Sequence, residues 1–198
     1  MKSRNVVRLF FSTLLLGGLS TLVTSFFVKS DVYLEFMKPF DWFELLGLFL
    51  FFTGLGLVFS LISQMGFFAY LTVNQLALSF FRSFWPWLQV VVVIVVLFDL
   101  VYFRYSIVNA GSVWPFVFAS VFLLIYGLII ARIKANQTNK KAFIPALFFM
   151  VVVTFIEWVP GLRTSGGDYA WLMIVPLILC NTYQLLILHR LQEKKQTN

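Results

Sequence analysis

The fold of this chain is decided by apolar stretches such as residues 85–103, which read WPWLQVVVVIVVLFDLVYF. A helix of this length spans roughly 28 Å, close to the ~30 Å hydrocarbon core of a bilayer. The composition, 61% hydrophobic and 12% charged, excludes a soluble domain with a single membrane anchor. Working outward from this stretch, the six predicted spans are Leu9–Val28, Trp42–Met65, Trp85–Phe103, Val113–Ile133, Phe143–Trp158 and Tyr169–Leu188.

The basic residues between the spans predict the orientation. Short loops rich in Lys and Arg resist translocation, so we predict a multi-pass protein of the cell membrane with both termini cytoplasmic. The net charge of +7 then reflects topology and attraction to anionic lipid, and no nucleic-acid partner is expected. The inside set is Lys2, Arg4, Arg8, Arg82, Arg132, Lys134, Lys140, Lys141, Arg190, Lys194 and Lys195, and the outside set is Lys29, Lys38, Arg104 and Arg163.

The segment Phe67–Phe81, between the second and third spans, is apolar but short and is interrupted by Asn74 and Gln75. If it crossed the membrane, the basic loop at residues 132–141 would face outside, against the charge bias. We therefore predict a short interfacial or partly buried helix there, on the cytoplasmic side. The predicted fold is an all-α integral membrane protein, a bundle of six transmembrane helices in one polytopic domain, residues 1–198.

Aromatic and acidic residues at the span ends are predicted to lie at the membrane interfaces. Trp85 and Trp87 would anchor the cytoplasmic side of the third span. Glu157, at the end of the fifth span, is predicted to be an outer interface residue. An outer aromatic belt is predicted from Trp42, Trp114, Trp158 and Trp171.

The sequence contains no motif for catalysis, metal binding or nucleotide binding. Its only histidine, His189, falls at a cytoplasmic helix end, which excludes a histidine-based metal site and a serine-histidine protease. The one cysteine, Cys180, permits no internal disulfide. We therefore expect no cofactor, no metal and no enzymatic activity, and keep an intramembrane enzyme only as a third hypothesis.

Small residues recur along one face of the first span and one face of the second. Their spacing of three or four residues places each set on a single side of its helix. Small side chains let helix backbones approach closely in lipid. The stripes predict either packing within this protein or contact with a partner's helix. They comprise Thr13, Gly17, Thr21 and Ser25 in the first span, and Thr53, Gly56, Ser60 and Ser63 in the second.

Polar residues inside the spans are further candidates, since an ionisable group there is costly and usually faces the bundle interior. Asp99 has Arg104 and Arg163 as candidate partners. Two interpretations explain Asp99 within a span. It forms a tethering ion pair or hydrogen bond, or it is a carboxylate that senses a ligand or a proton. A second predicted cluster, in the inner half of three spans, comprises Gln64, Gln89, Asn181 and Gln184. For this cluster the two interpretations are interhelical hydrogen bonding and an inward-facing docking surface.

Three stretches carry a resemblance to a known family. They are residues 1–18, MKSRNVVRLFFSTLLLGG, residues 74–87, NQLALSFFRSFWPW, and residues 158–171, WVPGLRTSGGDYAW. These resemble the KinB-signalling pathway activation family, KbaA, of spore-forming bacilli, and the likeness extends over the whole chain. The resemblance implies a multi-pass accessory of the membrane sensor kinase KinB that promotes phosphoryl flow into the relay that starts sporulation. No catalytic residues carry over from the family.

Two functional hypotheses from different classes follow. The first is a non-enzymatic accessory that activates a membrane histidine kinase by binding its active arrangement more tightly than its inactive one. The alternative is the substrate-capture subunit of an energy-coupling-factor transporter, which a six-span bundle of 198 residues also resembles. The small-residue stripe of the first span would suit docking on a transporter scaffold. A bound small molecule would discriminate between them.

Overall fold

The computed structural model of the chain is all-helical. It describes residues 3–37, 40–108, 113–164 and 167–193, without the side chains of residues 3, 103–108, 115 and 189–193. Its helices are α1 (Ser3–Val28), α2 (Ser30–Met37), α3 (Trp42–Phe81), α4 (Trp85–Val108), α5 (Trp114–Gln137), α6 (Phe143–Phe148), α7 (Thr154–Arg163) and α8 (Gly167–Glu193). Short 3-10 turns occupy Arg82–Phe84 and Lys140–Ala142, and a π-helical turn occupies Phe149–Val153.

Five segments within the described ranges are long and apolar enough to cross a membrane. Each predicted span is helical along nearly its whole length, although the fifth runs through α6, the π turn and the start of α7. The second and third spans fall in one apolar segment, Trp42–Tyr102. That segment folds back at the Arg82–Phe84 turn, because Trp85 and Gln89 of α4 both hydrogen-bond Asn74 of α3. One long apolar segment therefore supplies two helices.

The predicted separate helix at Phe67–Phe81 is wrong, because these residues continue α3 without a break. The polar side chains of Asn74 and Gln75 do not interrupt the backbone, and no proline does. α3 has 40 residues, which corresponds to about 60 Å, twice the hydrocarbon thickness of a bilayer. It ends at Arg82, whose φ of 43° is uncommon for a residue other than glycine.

The helices are arranged around the column formed by α6, the π turn and α7. On one side of this column, α1, α3 and α8 pack together, and the α1–α3 and α1–α8 contacts are the most extensive in the molecule. On the other side lie α4 and α5. The column is accordingly the most buried of the apolar segments.

The π turn reorients the residues that follow it. All five of its side chains, Phe149–Val153, are buried. Phe149 packs edge-on against Phe67 of α3, with 5.5 Å between the ring centroids. A π turn adds a residue to one helical turn, so Thr154 and Glu157 point in a direction different from that in an unbroken α-helix. Turns of this kind are frequent at functional sites.

Contacts at the two ends of the bundle join residues predicted to lie on the same side of the membrane. Lys29, after the end of α1, forms an ion pair with Asp168 in the first turn of α8, with an N···O distance of 2.9 Å. At the opposite end, Lys134 of α5 is buried and donates to the carbonyl of Leu185 in α8 at 2.7 Å.

The sequence predicts that Trp158 belongs to the outer aromatic belt, and that prediction is wrong. Its side chain is buried, and the indole N–H donates to the carbonyl of Ala170 at 2.8 Å. Trp85 is buried as well, so it contributes to packing more than to surface anchoring. The exposed tryptophans are Trp42, Trp87, Trp114 and Trp171.

Candidate functional site

Two glycines bring α1 and α3 into close contact. A Cβ at Gly17 would lie 2.5 Å from the Cβ of Ser60 and 2.8 Å from the carbonyl oxygen of Gly56. A Cβ at Gly56 would lie 2.5 Å from the carbonyl oxygen of Gly17 and 2.7 Å from Thr21 Oγ1. Because side chains do not approach a backbone this closely, the helices can meet here only if both residues are glycine.

The two small-residue stripes therefore face each other inside the protein. This is the geometry of the first interpretation, packing within the chain. Ser25, at the far end of its stripe, hydrogen-bonds the hydroxyl of Tyr33 in α2 at 2.7 Å. The buried members of the stripes are Thr13, Gly17, Thr21, Ser25, Gly56, Ser60 and Ser63, and Thr53 is half-buried.

Three helices meet at the backbone carbonyl of Thr13 in α1. The hydroxyl of Ser60 in α3 donates to this oxygen at 2.9 Å, and the thiol of Cys180 in α8 donates to it at 3.7 Å. The amide of Gln64 donates to Ser60 Oγ at 3.2 Å. One carbonyl thus links α1 to both α3 and α8.

Asn181 and Gln184 lie one turn apart on α8, and both reach Ser63 of α3. The Ser63 hydroxyl donates to Asn181 Oδ1 at 2.7 Å and accepts from Gln184 Nε2, also at 2.7 Å. All three side chains are fully buried. Of the two interpretations of this cluster, the geometry corresponds to interhelical hydrogen bonding.

Asn181 also connects α8 to α7. Its Nδ2 donates to Glu157 Oε2 at 2.6 Å and to Thr154 Oγ1 at 2.9 Å. Glu157 is only 5% exposed, and its carboxyl lies against Gly66 of α3, where a side chain would occupy the same space. Its second oxygen, Oε1, has no hydrogen-bond partner within the described ranges. Asn181 and Gly66 together define the position of this carboxyl group.

The predicted interfacial position of Glu157 is therefore corrected to a buried one. α7 continues past Glu157 to Arg163, about 9 Å further along the helix axis. The sequence did contain a signal, since Thr154 and Glu157 share a helix face at the same three-residue spacing as Asn181 and Gln184. We call the following buried residues the polar seam: Ser60, Ser63, Gln64, Thr154, Glu157, Asn181 and Gln184.

Gln89 was predicted to cluster with members of the seam, but it lies elsewhere. Its amide donates to Asn74 Oδ1 at 3.3 Å, and the indole of Trp85 donates to the same oxygen at 2.8 Å. The chain reverses after α3, and this places Gln89 opposite Asn74. Asn74 lies ten residues after Gln64 in α3, so Gln89 is far from the other members of the predicted cluster. Gln89 thus stabilises the reversal of the chain. We call residues 73–87, which contain this reversal, the hairpin tip.

Asp99 is half-exposed on α4 and makes no hydrogen bond or ion pair within the described part of the chain. Arg163 is exposed at the end of α7 and interacts with another residue. Arg104 lies in α4, and its side chain is outside the described residues. The pairing of Asp99 with Arg104 stays a prediction.

The chemistry available in the seam is hydrogen bonding among neutral groups and one carboxyl group. Among the residues that the structure describes, no three His, Cys, Asp or Glu side chains come close enough to hold a metal ion. The Cys180 thiol is buried against the Thr13 carbonyl. The arrangement fixes the relative positions of α1, α3, α7 and α8.

Comparison with known proteins identifies the family. Residues 17–191 match the family model described as KbaA, KinB-signalling pathway activation in sporulation. The chain belongs to this family. It is also 42% identical over 198 residues to the KinB-signaling pathway activation protein of Bacillus subtilis (strain 168), an alignment that covers 98% of this chain and 100% of the relative. The resemblance seen in three sequence stretches is thereby confirmed. No solved structure matches the chain significantly.

Proposed function

We propose that this protein is a non-enzymatic membrane accessory that activates KinB, a membrane histidine kinase that feeds the sporulation phosphorelay. The observation that carries the proposal is the family match over residues 17–191, with the likeness to a full-length protein named for activation of KinB signalling. The apolar helices support a site of action in the cell membrane. Contact with the kinase would then occur within or next to the bilayer.

The same proposal includes six spans with both termini in the cytoplasm. The fold-back at Arg82–Phe84 supports the count, because it lets α3 and α4 cross separately. The Lys and Arg distribution supports the orientation. Reporter fusions after Lys141 and after residue 198 should both read cytoplasmic, and a fusion after Arg163 should read external. A cytoplasmic reading after Arg163 would overturn this orientation.

Activation by an accessory is differential binding. The protein must bind the active arrangement of the kinase more tightly than the inactive one, since equal affinity for both shifts nothing. A tenfold shift requires a difference of about 1.4 kcal/mol. A rigid accessory can provide this difference, because it presents one surface to two kinase conformations. The polar seam and the contact between Gly17 and Gly56 support such rigidity in α1, α3, α7 and α8.

The proposal is tested by reconstituting the kinase in lipid nanodiscs with and without this protein. Kinase autophosphorylation from labelled ATP should be several-fold faster when the protein is present, and the kinase should co-purify with it from native membranes. An unrelated six-span protein of similar size serves as the matched control.

The outcomes separate the hypotheses. An unchanged autophosphorylation rate, together with no kinase among the co-purified proteins, would contradict direct activation. Mass spectrometry of the same preparation also reports small molecules. A stoichiometric small ligand found with a transporter scaffold, in place of the kinase, would favour the substrate-capture alternative.

A further inference from the structure

A basic pocket lies at the elbow where the chain leaves α5 and enters α6. It has a volume of about 390 Å³ and is lined by Arg132, Ala135 and Asn136 of α5, Lys140 of the 3-10 turn, and Phe143 at the start of α6. Arg132 and Asn136 are four residues apart, so they share a helix face. The pocket combines two cations and a side-chain amide with an apolar wall.

The positive charge of this pocket meets no acidic side chain among the described residues. Neither Arg132 nor Lys140 forms an ion pair in the part of the chain that is described. The sequence has no Asp or Glu between Asp99 and Glu157. The C-terminus of α5 contributes about half a negative charge, which two full positive charges outweigh. Lys134 does not add to the pocket, because it is buried and donates to a carbonyl of α8.

Local hydrogen bonds fix the shape of the elbow. The Thr138 hydroxyl donates to the carbonyl of Lys134 at 2.9 Å and closes the end of α5. The side chain of Asn139 accepts from the backbone N–H of Ala142 at 3.1 Å and caps the 3-10 turn. The pocket is therefore held at the junction of the fourth and fifth predicted spans, where lipid headgroups would lie.

We propose that this pocket binds the phosphate of an anionic phospholipid headgroup. Arg, Lys and amide N–H groups are the donors that phosphate oxygens accept from, and basic pockets between membrane helices on the cytoplasmic side bind such headgroups. Phe143 and Ala135 give the apolar part of the lipid a surface that a free phosphate ion would not use. The site rests on the membrane orientation proposed above and is independent of the contact with the kinase.

The test compares lipid binding by the purified full-length protein and two doubly substituted variants. Native mass spectrometry measures retention of phosphatidylglycerol relative to phosphatidylcholine. The pocket variant carries Arg132→Gln and Lys140→Gln, and the matched control carries Arg4→Gln and Arg8→Gln. All four positions are exposed at the same end of the bundle, and both variants lose two positive charges. We expect the pocket variant to bind phosphatidylglycerol on the order of tenfold more weakly, and the control to bind like the wild type.

A third variant, with Arg132→Lys and Lys140→Arg, keeps both charges and should retain binding. Far-ultraviolet circular dichroism of each variant shows whether the helices are intact. An equal loss in the pocket variant and the control would overturn the pocket, because it would show that the whole basic end attracts lipid without a specific site. Binding of glycerol phosphate in uncharged detergent, as tight as that of the lipid and dependent on Arg132 and Lys140, would overturn the lipid assignment in favour of a soluble phosphate.

Discussion

The polar seam and the hairpin tip show opposite relations between polarity and burial. Every residue of the seam is polar, and every one is buried. In the tip most residues are apolar, yet only Ala77 and Trp85 are buried. Phe80 is 80% exposed and Trp87 is 72% exposed. Hydrophobicity alone therefore does not decide which side chains are buried in these two regions.

The lipid environment proposed above for these apolar helices gives the physical reason. In lipid an outward apolar side chain costs little, whereas a polar group without a partner is expensive. Polar side chains consequently turn toward one another, and small residues let their helices come together. The seam is the region where most of the buried polar side chains meet, although the Oε1 atoms of Gln64, Glu157 and Gln184 have no hydrogen-bond partner in the described part of the chain. The tip contains few buried polar groups that need a partner. Substitutions should accordingly have large effects in the seam and small effects in the tip.

The largest expected effect is that of Gly56→Leu. The new side chain would collide with the α1 backbone at Gly17, so α1 and α3 must separate. Overpacking of this kind costs about 1–3 kcal/mol or more. Gly54→Leu is the matched control on the same helix, because nothing lies within 4 Å of a Cβ at Gly54. Unfolding by sodium dodecyl sulfate, followed by circular dichroism, should show early loss of structure for Gly56→Leu alone. Equal stability of the two variants would contradict the assignment of the stripes to internal packing.

The next largest effect is expected at Glu157, where two substitutions distinguish the contribution of its hydrogen bond from that of its charge. Glu157→Leu removes the acceptor for Asn181 Nδ2, and an unpaired buried donor costs about 1–3 kcal/mol. Glu157→Gln retains an acceptor oxygen and should be close to the wild type in detergent unfolding and in membrane abundance. If Glu157→Gln were as destabilising as Glu157→Leu, the carboxyl group itself would be required, and the account of the seam as a hydrogen-bond network would be incomplete.

In the tip, two tryptophans two residues apart should behave differently. Trp85→Phe removes the hydrogen bond to Asn74 and part of a buried side chain, which we expect to cost about 1 kcal/mol. Trp87→Phe changes an exposed side chain and should stay within about 0.5 kcal/mol of the wild type. The same detergent titration measures both. A larger loss for Trp87→Phe would mean that the exposed face of the tip is covered by a part of the chain outside the described residues.

The parts of the fold that sequence predicts well are those set by local properties. Span length and apolar composition are each read from a single stretch, and the six predicted spans overlap the observed helical segments. The length of α3 could not be read in this way. The sequence predicts that the second span ends at Met65 and that Phe67–Phe81 is a separate short helix, because Asn74 and Gln75 interrupt its apolar run. The helix ends only where the backbone changes, at Arg82.

The candidate site was predictable only in part, for a related reason. Ser60, Ser63, Asn181 and Gln184 were found because their spacing within one helix reports a shared face. The spacing of Thr154 and Glu157 indicates a shared helix face, but Glu157 was misplaced because the direction of that face depends on two features that no single stretch reveals. These are the π turn that precedes α7 and the crossing that places the carboxyl group against a glycine of α3.

The smallest expected effect is that of Asp99→Leu. A carboxylate inside a bilayer costs about 2.5 kcal/mol or more at the centre and less near the interface. In the described part of the chain Asp99 makes no hydrogen bond or ion pair that would offset this cost. Replacing it with Leu should therefore leave membrane abundance unchanged or slightly raised, and Asp99→Asn should behave in the same way.

Comparison of Asp99→Leu with Arg104→Leu and with the double variant tests the candidate partner Arg104. If Asp99→Leu lowered abundance and Arg104→Leu lowered it equally, without a further loss in the double variant, the two residues would be acting as a pair. The ion pair predicted from the sequence would then hold, and Asp99 would stabilise the C-terminal half of α4 much as the seam stabilises α3 and α8.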